Sequence, residues 1–157
     1  MQLHAEHLRA LREPRKSAYV AYAECWKKRF NLIEQSWSDL YVADRHPGTQ
    51  VAEGLLVSAA ATRSEAIDMS AAMGPVQAVV YVEGPREVTH ASVTASSRLV
   101  DLISLVRDSS AAVQNGEPAE EHAASFEPAR NAAYNSYLDF LYAASDALGS
   151  DLLPSTS

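Results

Sequence analysis

The chain of 157 residues has a single cysteine, Cys25, which excludes an internal disulfide and a zinc site built from cysteines. It has no apolar run that approaches the roughly 18 residues a membrane-spanning helix needs. Its first residues also lack the charged segment followed by an apolar segment that marks a secretory signal peptide. We therefore expect a soluble, cytoplasmic protein with no part inside a membrane.

Basic residues are scarce, since 13 lysines and arginines face 20 acidic residues and the net charge is −7. A surplus of negative charge argues against a nucleic-acid partner. The charges are also unevenly distributed. Residues 1–30 carry seven basic and three acidic side chains, whereas residues 108–157 carry one basic and eight acidic ones. This polarity would orient a partner or draw the two ends together, but two solvated faces of opposite sign are the favoured interpretation.

The common catalytic motifs are missing too. The sequence has no glycine-rich phosphate loop, no Gly-x-Ser-x-Gly and no His-Glu-x-x-His, and its one Glu-x-x-His runs from Glu87 to His90. His4 and His7, with Glu6 between them, offer at most a surface metal pair. Cys25 lies beside Trp26 and is expected to be a buried, inert thiol. We predict no catalytic residue, no cofactor and no metal ion.

The chain does contain apolar residues at helical spacing. One seam begins after Pro14, advances in steps of three and four for about six turns, and stops at the turn residues 44–48. Residues 2–12 form a separate short amphipathic segment, because a proline inside a helix is costly. The seam consists of Tyr19, Tyr22, Trp26, Phe30, Ile33, Trp37 and Leu40.

Residues 76–82 leave two interpretations open. Taken alone, this segment is rich in β-branched residues and is typical of a strand. The helical spacing of the preceding apolar residues nevertheless continues through Gly74 and Pro75 without a change of phase. We therefore favour one long second helix over residues 49–83, kinked at Pro75.

A third helix is expected to end near Arg107. The small, polar and acidic residues 108–125 predict a mobile loop. The last helix is expected to begin at Pro128 and to end near Leu148, before a frayed tail at residues 150–157.

These segments predict one domain over residues 1–157. Its fold class is all-α, an antiparallel up-down-up-down four-helix bundle with a kinked second helix and coiled-coil-like seams.

The motif Arg-x-x-Ala-Tyr-x-x-Tyr occurs twice, once near each end of the chain. Its key residues are Arg15, Tyr19 and Tyr22 in the first copy, and Arg130, Tyr134 and Tyr137 in the second. Two functions are open for the pair: a pocket for an anion or an aromatic ligand, or two packing contacts. In an antiparallel bundle the copies lie about 20–30 Å apart, which favours packing over one shared pocket.

The aromatic stripe of the first helix suggests a surface for partners, because two tryptophans are large side chains for a small bundle to bury completely. We predict a non-enzymatic protein that acts through protein–protein contacts, as a homo-oligomer or an accessory subunit. The alternative is a small-molecule or anion-binding bundle, in the limit an enzyme, that uses Arg15 with Tyr19 and Arg130 with Tyr134. The candidate contact residues are Arg15, Tyr19, Tyr22, Trp26, Trp37, Arg130, Tyr134 and Tyr137.

The two Arg-x-x-Ala-Tyr segments and the Val-Glu-Gly-Pro junction that ends at Pro85 resemble small helical proteins common in high-GC Gram-positive bacteria. The similarity covers most of the chain, while Gly74-Pro75 and residues 108–125 depart from the pattern. The resemblance implies a helical bundle in the cytoplasm and implies no activity.

Overall fold

The computed structural model describes residues 2–149, and four helices hold nearly all of them. They are α1 (Gln2–Asp44), α2 (Gln50–Glu83), α3 (Arg86–Gln114) and α4 (Glu120–Leu148). No strand occurs within residues 2–149, so the predicted all-α class is confirmed, and residues 76–82 are helical. The predicted frayed tail at 150–157 lies outside the described residues.

The helices form the predicted antiparallel bundle. The most extensive contacts join α1 to α2 and α3 to α4, which are neighbours in sequence, and α2 does not contact α4. Short turns at residues 45–49 and 115–119 reverse the chain, and Gly84 and Pro85 separate α2 from α3. Thr49 caps α2 through its hydroxyl, which accepts a hydrogen bond from the Ala52 backbone N–H.

The contact between α1 and α2 is made by a seam that repeats every seven residues. On α2 the buried residues are Ala52, Ala59, Ala66, Met73 and Val80. Because alanine has a small side chain, the backbones approach closely enough for α1 side chains to reach α2 carbonyls. Ser36 donates to the Ala59 carbonyl at 2.7 Å, and Arg29 Nε donates to the Ala66 carbonyl at 2.9 Å.

Arg29 is an unusual member of this contact, because its side chain is only 4 % exposed. Its second hydrogen bond, from Nη1, goes to the Met73 sulfur at 3.1 Å. Among residues 2–149 no carboxylate pairs with Arg29. Burial lowers the pKa of this guanidinium.

Aromatic pairs join α1 to α4 and set their antiparallel alignment. Ring centroids lie 4.5 Å apart for Tyr22–Phe140, 4.5 Å for Trp26–Tyr137, 5.9 Å for Phe30–Tyr134 and 4.3 Å for Trp37–Phe126. Residue numbers rise along α1 as they fall along α4, so the two helices run in opposite directions. The predicted first-helix seam is therefore the centre of the core.

The start of α1 differs from the prediction. The helix begins at Gln2 and continues through Pro14, whereas the sequence suggested a break there. Pro14 is exposed, so water can solvate the carbonyl that its missing N–H leaves without a helical partner. Arg12, two residues before Pro14, donates a hydrogen bond to the Leu148 carbonyl at the end of α4.

The predicted mobile loop at residues 108–125 is also wrong. Helix α3 continues to Gln114 and α4 begins at Glu120, which leaves a turn in which Gly116 has a φ of +77°. Ser109 and Ser110 are buried, so small residues mark a close approach of helices rather than a loop. Glu120 lies in the first turn of α4, where negative charge stabilises the helix dipole.

Candidate functional site

The three aromatic residues of α1 that were predicted to contact a partner or ligand are part of the core. Tyr19 is 2 % exposed, and Tyr22 and Trp26 are fully buried. The Tyr22 hydroxyl lies 2.7 Å from the Ser92 carbonyl oxygen, to which it donates. Trp26 Nε1 donates to the Ala95 carbonyl at 2.9 Å. Tyr22 and Trp26 join α1 to α3, and the Tyr19 ring meets Phe140 of α4. None of the three is available to a partner of the folded bundle.

The other predicted aromatic residues, Trp37, Tyr134 and Tyr137, are half-buried at the edges of the same core. Lys27 places its ammonium 4.8 Å from the centroid of the Tyr134 ring, a cation–π contact. The rings of Tyr134 and Tyr137 lie 6.1 Å apart between centroids, and Trp37 stacks on Phe126.

The two arginines of the repeated motif lie far apart. Arg130 forms an ion pair with Glu34 and sits 5.8 Å from the centroid of the Phe30 ring. Glu34, which marks the position of Arg130 along α1, lies 19 residues after Arg15 on that helix. At 1.5 Å per residue this separation is about 28 Å. Arg15 and Arg130 therefore do not line one shared pocket.

Burial favours the neutral forms of three tyrosines and of the cysteine. Burial raises the pKa of Tyr19, Tyr22 and Tyr137 above the usual tyrosine value. Burial also raises the pKa of the Cys25 thiol, more than Arg29 and Lys28 lower it. A thiol with a raised pKa has little thiolate at neutral pH and is a poor nucleophile. Among the side chains that the structure describes, no group of three or more histidines, cysteines or acids is placed to hold a metal ion.

The surface that sequence reasoning missed lies on α2, opposite the alanine seam that contacts α1. Along this outer side lies a row of residues spaced alternately three and four positions apart. None of them is charged. We call them the outer seam: Val57, Ala60, Ser64, Ile67, Ala71, Gly74, Ala78 and Tyr81.

The outer seam is open to solvent. Val57 is 72 % exposed, Ile67 44 % and Tyr81 45 %. Buried apolar residues on one side of α2 and exposed ones on the other explain why the helix has no clear polar face. The available signal in the sequence was the run from residue 69 to residue 82, which contains no charged residue.

Helix α3 extends this apolar surface. Ser96 of α3 donates to Gln77 of α2 at 3.2 Å, which aligns the two helices. Val93 and Val100 lie three positions before and four positions after Ser96, and they are 45 % and 52 % exposed. They border the outer seam on the α3 side and widen it.

No family model, curated protein or solved structure matches the chain. The predicted resemblance to small helical proteins of high-GC Gram-positive bacteria stays a prediction. Among the described helices, none combines the length and the apolar content that crossing a membrane would require. The arguments for function therefore rest on the geometry of the outer seam.

Proposed function

We propose that the protein acts through protein–protein contacts and that the outer seam of α2 is its docking face. The observation that carries this proposal is an exposed, uncharged row of residues at the spacing of a coiled-coil interface. Exposed apolar patches of this kind mark interaction surfaces in soluble proteins. The proposal covers a homo-oligomer or an accessory subunit, placed in the cytoplasm as the sequence predicts.

The shape of the surface favours a helix as the docked element. From Val57 to Tyr81 the seam follows 24 helical steps, about 36 Å, which suits an elongated partner better than a small molecule. Small side chains at Ala71, Gly74 and Ala78 allow a second helix to approach closely. The opposite side of α2 already packs on α1 in this way, through Ala59 and Ala66.

Photo-cross-linking in cells that produce the protein tests this proposal. A benzophenone amino acid replaces Ala71 on the outer seam or, as the matched control, Asn135 on the exposed side of α4. We expect discrete adducts from position 71, which mass spectrometry identifies as a defined site on one polypeptide. A second substitution in the same chain, Ile67→Glu, should remove them. Equal adduct patterns from positions 71 and 135 would contradict the proposal.

A further inference from the structure

The groove between α2 and α3 brings two arginines together. Gln77 of α2 and Ser96 of α3, joined by a hydrogen bond, mark the facing sides of these helices. Arg63 precedes Gln77 by fourteen residues, about four helical turns, and so lies on the facing side of α2. Arg107 follows Ser96 by eleven residues, about three turns, and lies on the facing side of α3. Burial first, and then the positive charge of Arg107, lower the pKa of the Arg63 guanidinium, so the two charges are close enough to interact.

Arg63 holds a buried donor that the described part of the chain leaves without an acceptor. Its Nη1 atom is inaccessible to solvent and has no hydrogen-bond partner among residues 2–149. Arg29 shows the contrast, because its Nε and Nη1 both donate to atoms of α2. A charged donor that is removed from water and left unsatisfied costs free energy. Arg63 therefore points to an acceptor that comes from outside the chain.

The acidic residues near this groove do not neutralise it. On α2, Glu65 and Asp68 are exposed and lie about 200° and about 140° around the helix from Arg63, at 3.6 residues per turn. On α3, Asp108 accepts from Nε of Arg107 at 3.2 Å, and both side chains are exposed. Arg63 has no ion pair within the described residues. Two guanidinium groups thus share one carboxylate, and the groove keeps a net positive charge.

Two guanidinium groups from opposite helices suit a phosphate group. A planar carboxylate directs both oxygens toward one arginine in the bidentate pair that guanidinium favours. A phosphate is tetrahedral and carries about −1.5 to −2 charges at neutral pH, so its oxygens can accept from two sides at once. Asp108 takes only Nε of Arg107 and leaves the Nη donors for such a ligand.

We propose that Arg63 and Arg107 form a binding site for a phosphate group, free or as a monoester, in the groove between α2 and α3. This site goes beyond the proposed docking function. The two are tested separately, because phosphate binding needs no protein partner and adducts from position 71 need no phosphate.

Nuclear magnetic resonance of the arginine side chains tests the site directly. The Nε–H signals of Arg63 and Arg107 are assigned from Arg63→Met and Arg107→Gln chains. The native chain is then titrated with sodium phosphate at an ionic strength held constant with sodium chloride. We expect both signals to shift and to saturate as phosphate replaces chloride. Shifts that grow linearly without saturation would show only general attraction of anions to arginine and would overturn the proposal.

Matched variants separate the site from the other arginines of α3. Arg107 and Arg98 are both exposed, at 62 % and 55 % of the side chain, and each has an acid beside it. Arg63→Met and Arg107→Gln should each weaken phosphate binding at least roughly tenfold, because each loses a charge-assisted hydrogen bond. Arg98→Gln should change the affinity by less than about twofold. Equal affinities of the Arg107→Gln and Arg98→Gln chains would contradict the site.

Urea unfolding shows whether Arg63 serves a ligand or the fold. In chloride without phosphate, Arg63→Met should be at least as stable as the native chain, because methionine keeps an apolar stem and removes an unpaired buried charge. Phosphate should raise the free energy of unfolding of the native chain more than that of Arg63→Met. A marked loss of stability of Arg63→Met in chloride would assign Arg63 to the fold and overturn the proposal.

Two further ligands identify the chemistry that the site accepts. Acetate is titrated in the same way, and acetate binding as tight as phosphate binding would show a carboxylate site and refute the choice of phosphate. O-phosphoserine presents the phosphate group as a monoester. Tighter binding of O-phosphoserine than of inorganic phosphate would identify an ester as the ligand class, and the reverse order would identify free phosphate. Either order supports the site.

Discussion

At the scale of single residues, Tyr22 shows what the buried polar groups do. Its hydroxyl donates to the Ser92 carbonyl and lies 2.7 Å from the Ser96 hydroxyl oxygen, so one side chain of α1 holds two positions of α3. The ring packs against Phe140 of α4 at the same time. The sequence predicted that Tyr22 begins a core seam. It did not show the hydrogen bonds, because those depend on the alignment of α1 with α3.

The raised pKa of Tyr22 predicts a loss of stability in alkali. Above about pH 10 the unfolded chain ionises this tyrosine, while burial keeps it protonated in the folded chain. The unfolded state then binds fewer protons, so the free energy of unfolding falls as pH rises, by about 1.4 kcal/mol per pH unit for one group. Urea unfolding between about pH 8 and pH 11 measures this slope.

Two tyrosine variants separate this effect from general alkaline damage. Tyr22→Phe should reduce the slope, at a cost of about 1–2 kcal/mol at neutral pH from the lost hydrogen bonds. Tyr142→Phe is the control, since Tyr142 is 60 % exposed and should leave the slope unchanged. An unchanged slope in Tyr22→Phe would show that Tyr22 does not stay protonated in the fold.

At the scale of helices, the sequence predicted the long segments and most of their ends, but not the start of α1, the end of α3 or the start of α4. The phase of apolar residues through Gly74 and Pro75 identified α2 as one helix, because helical spacing persists only if the helix does. The end of α3 and the start of α4 were missed, since buried serines and alanines have the composition of a loop. Only the close approach of the two helices shows that these small residues are packed.

Glycines of α2 provide a test at the same scale. A side chain at Gly54 meets open space within the helix, so Gly54→Ala should stabilise the fold by about 0.5–1 kcal/mol. At Gly84, which caps α2, a Cβ would lie 2.7 Å from the Val80 carbonyl oxygen and 3.1 Å from the Tyr19 hydroxyl. Gly84→Ala should therefore destabilise the fold by about 1–3 kcal/mol.

Chemical denaturation of both alanine variants measures these opposite effects. The same substitution is used at both sites, so a difference in sign isolates the local geometry. If Gly84→Ala proved as stable as Gly54→Ala, the close packing of the α2–α3 junction on Tyr19 would be wrong.

At the scale of the whole molecule, Trp26 joins three helices. Its ring stacks on Tyr137 of α4 at 4.5 Å and on Phe30 of its own helix at 5.0 Å, while its N–H bonds to α3. The sequence predicted an aromatic core and a four-helix bundle from periodicity alone. The sequence also suggested that the aromatic stripe of α1 contacts partners, because composition does not show which aromatic residues the other helices cover.

The position of Trp26 predicts that its loss weakens the bundle as a unit. Trp26→Ala should lower the free energy of unfolding by about 3–5 kcal/mol, through lost packing and a large cavity. Trp37→Ala, at the half-buried edge, should cost less. Urea unfolding followed by circular dichroism measures both. A cost for Trp26→Ala no greater than that for Trp37→Ala would contradict the central role of Trp26.

The buried guanidinium of Arg29, which no carboxylate of the described residues pairs with, has a consequence for how the first two helices align. Sliding α2 along α1 by one repeat, about 10 Å, replaces alanine with alanine at two of the five seam positions, so the alanines alone do not fix the alignment. Arg29 reaches the sulfur of Met73, which differs from the three alanines and from Val80 at the other repeats. Any shifted pairing would bury this charge without the Met73 contact, so Arg29 makes one alignment of the hairpin unique.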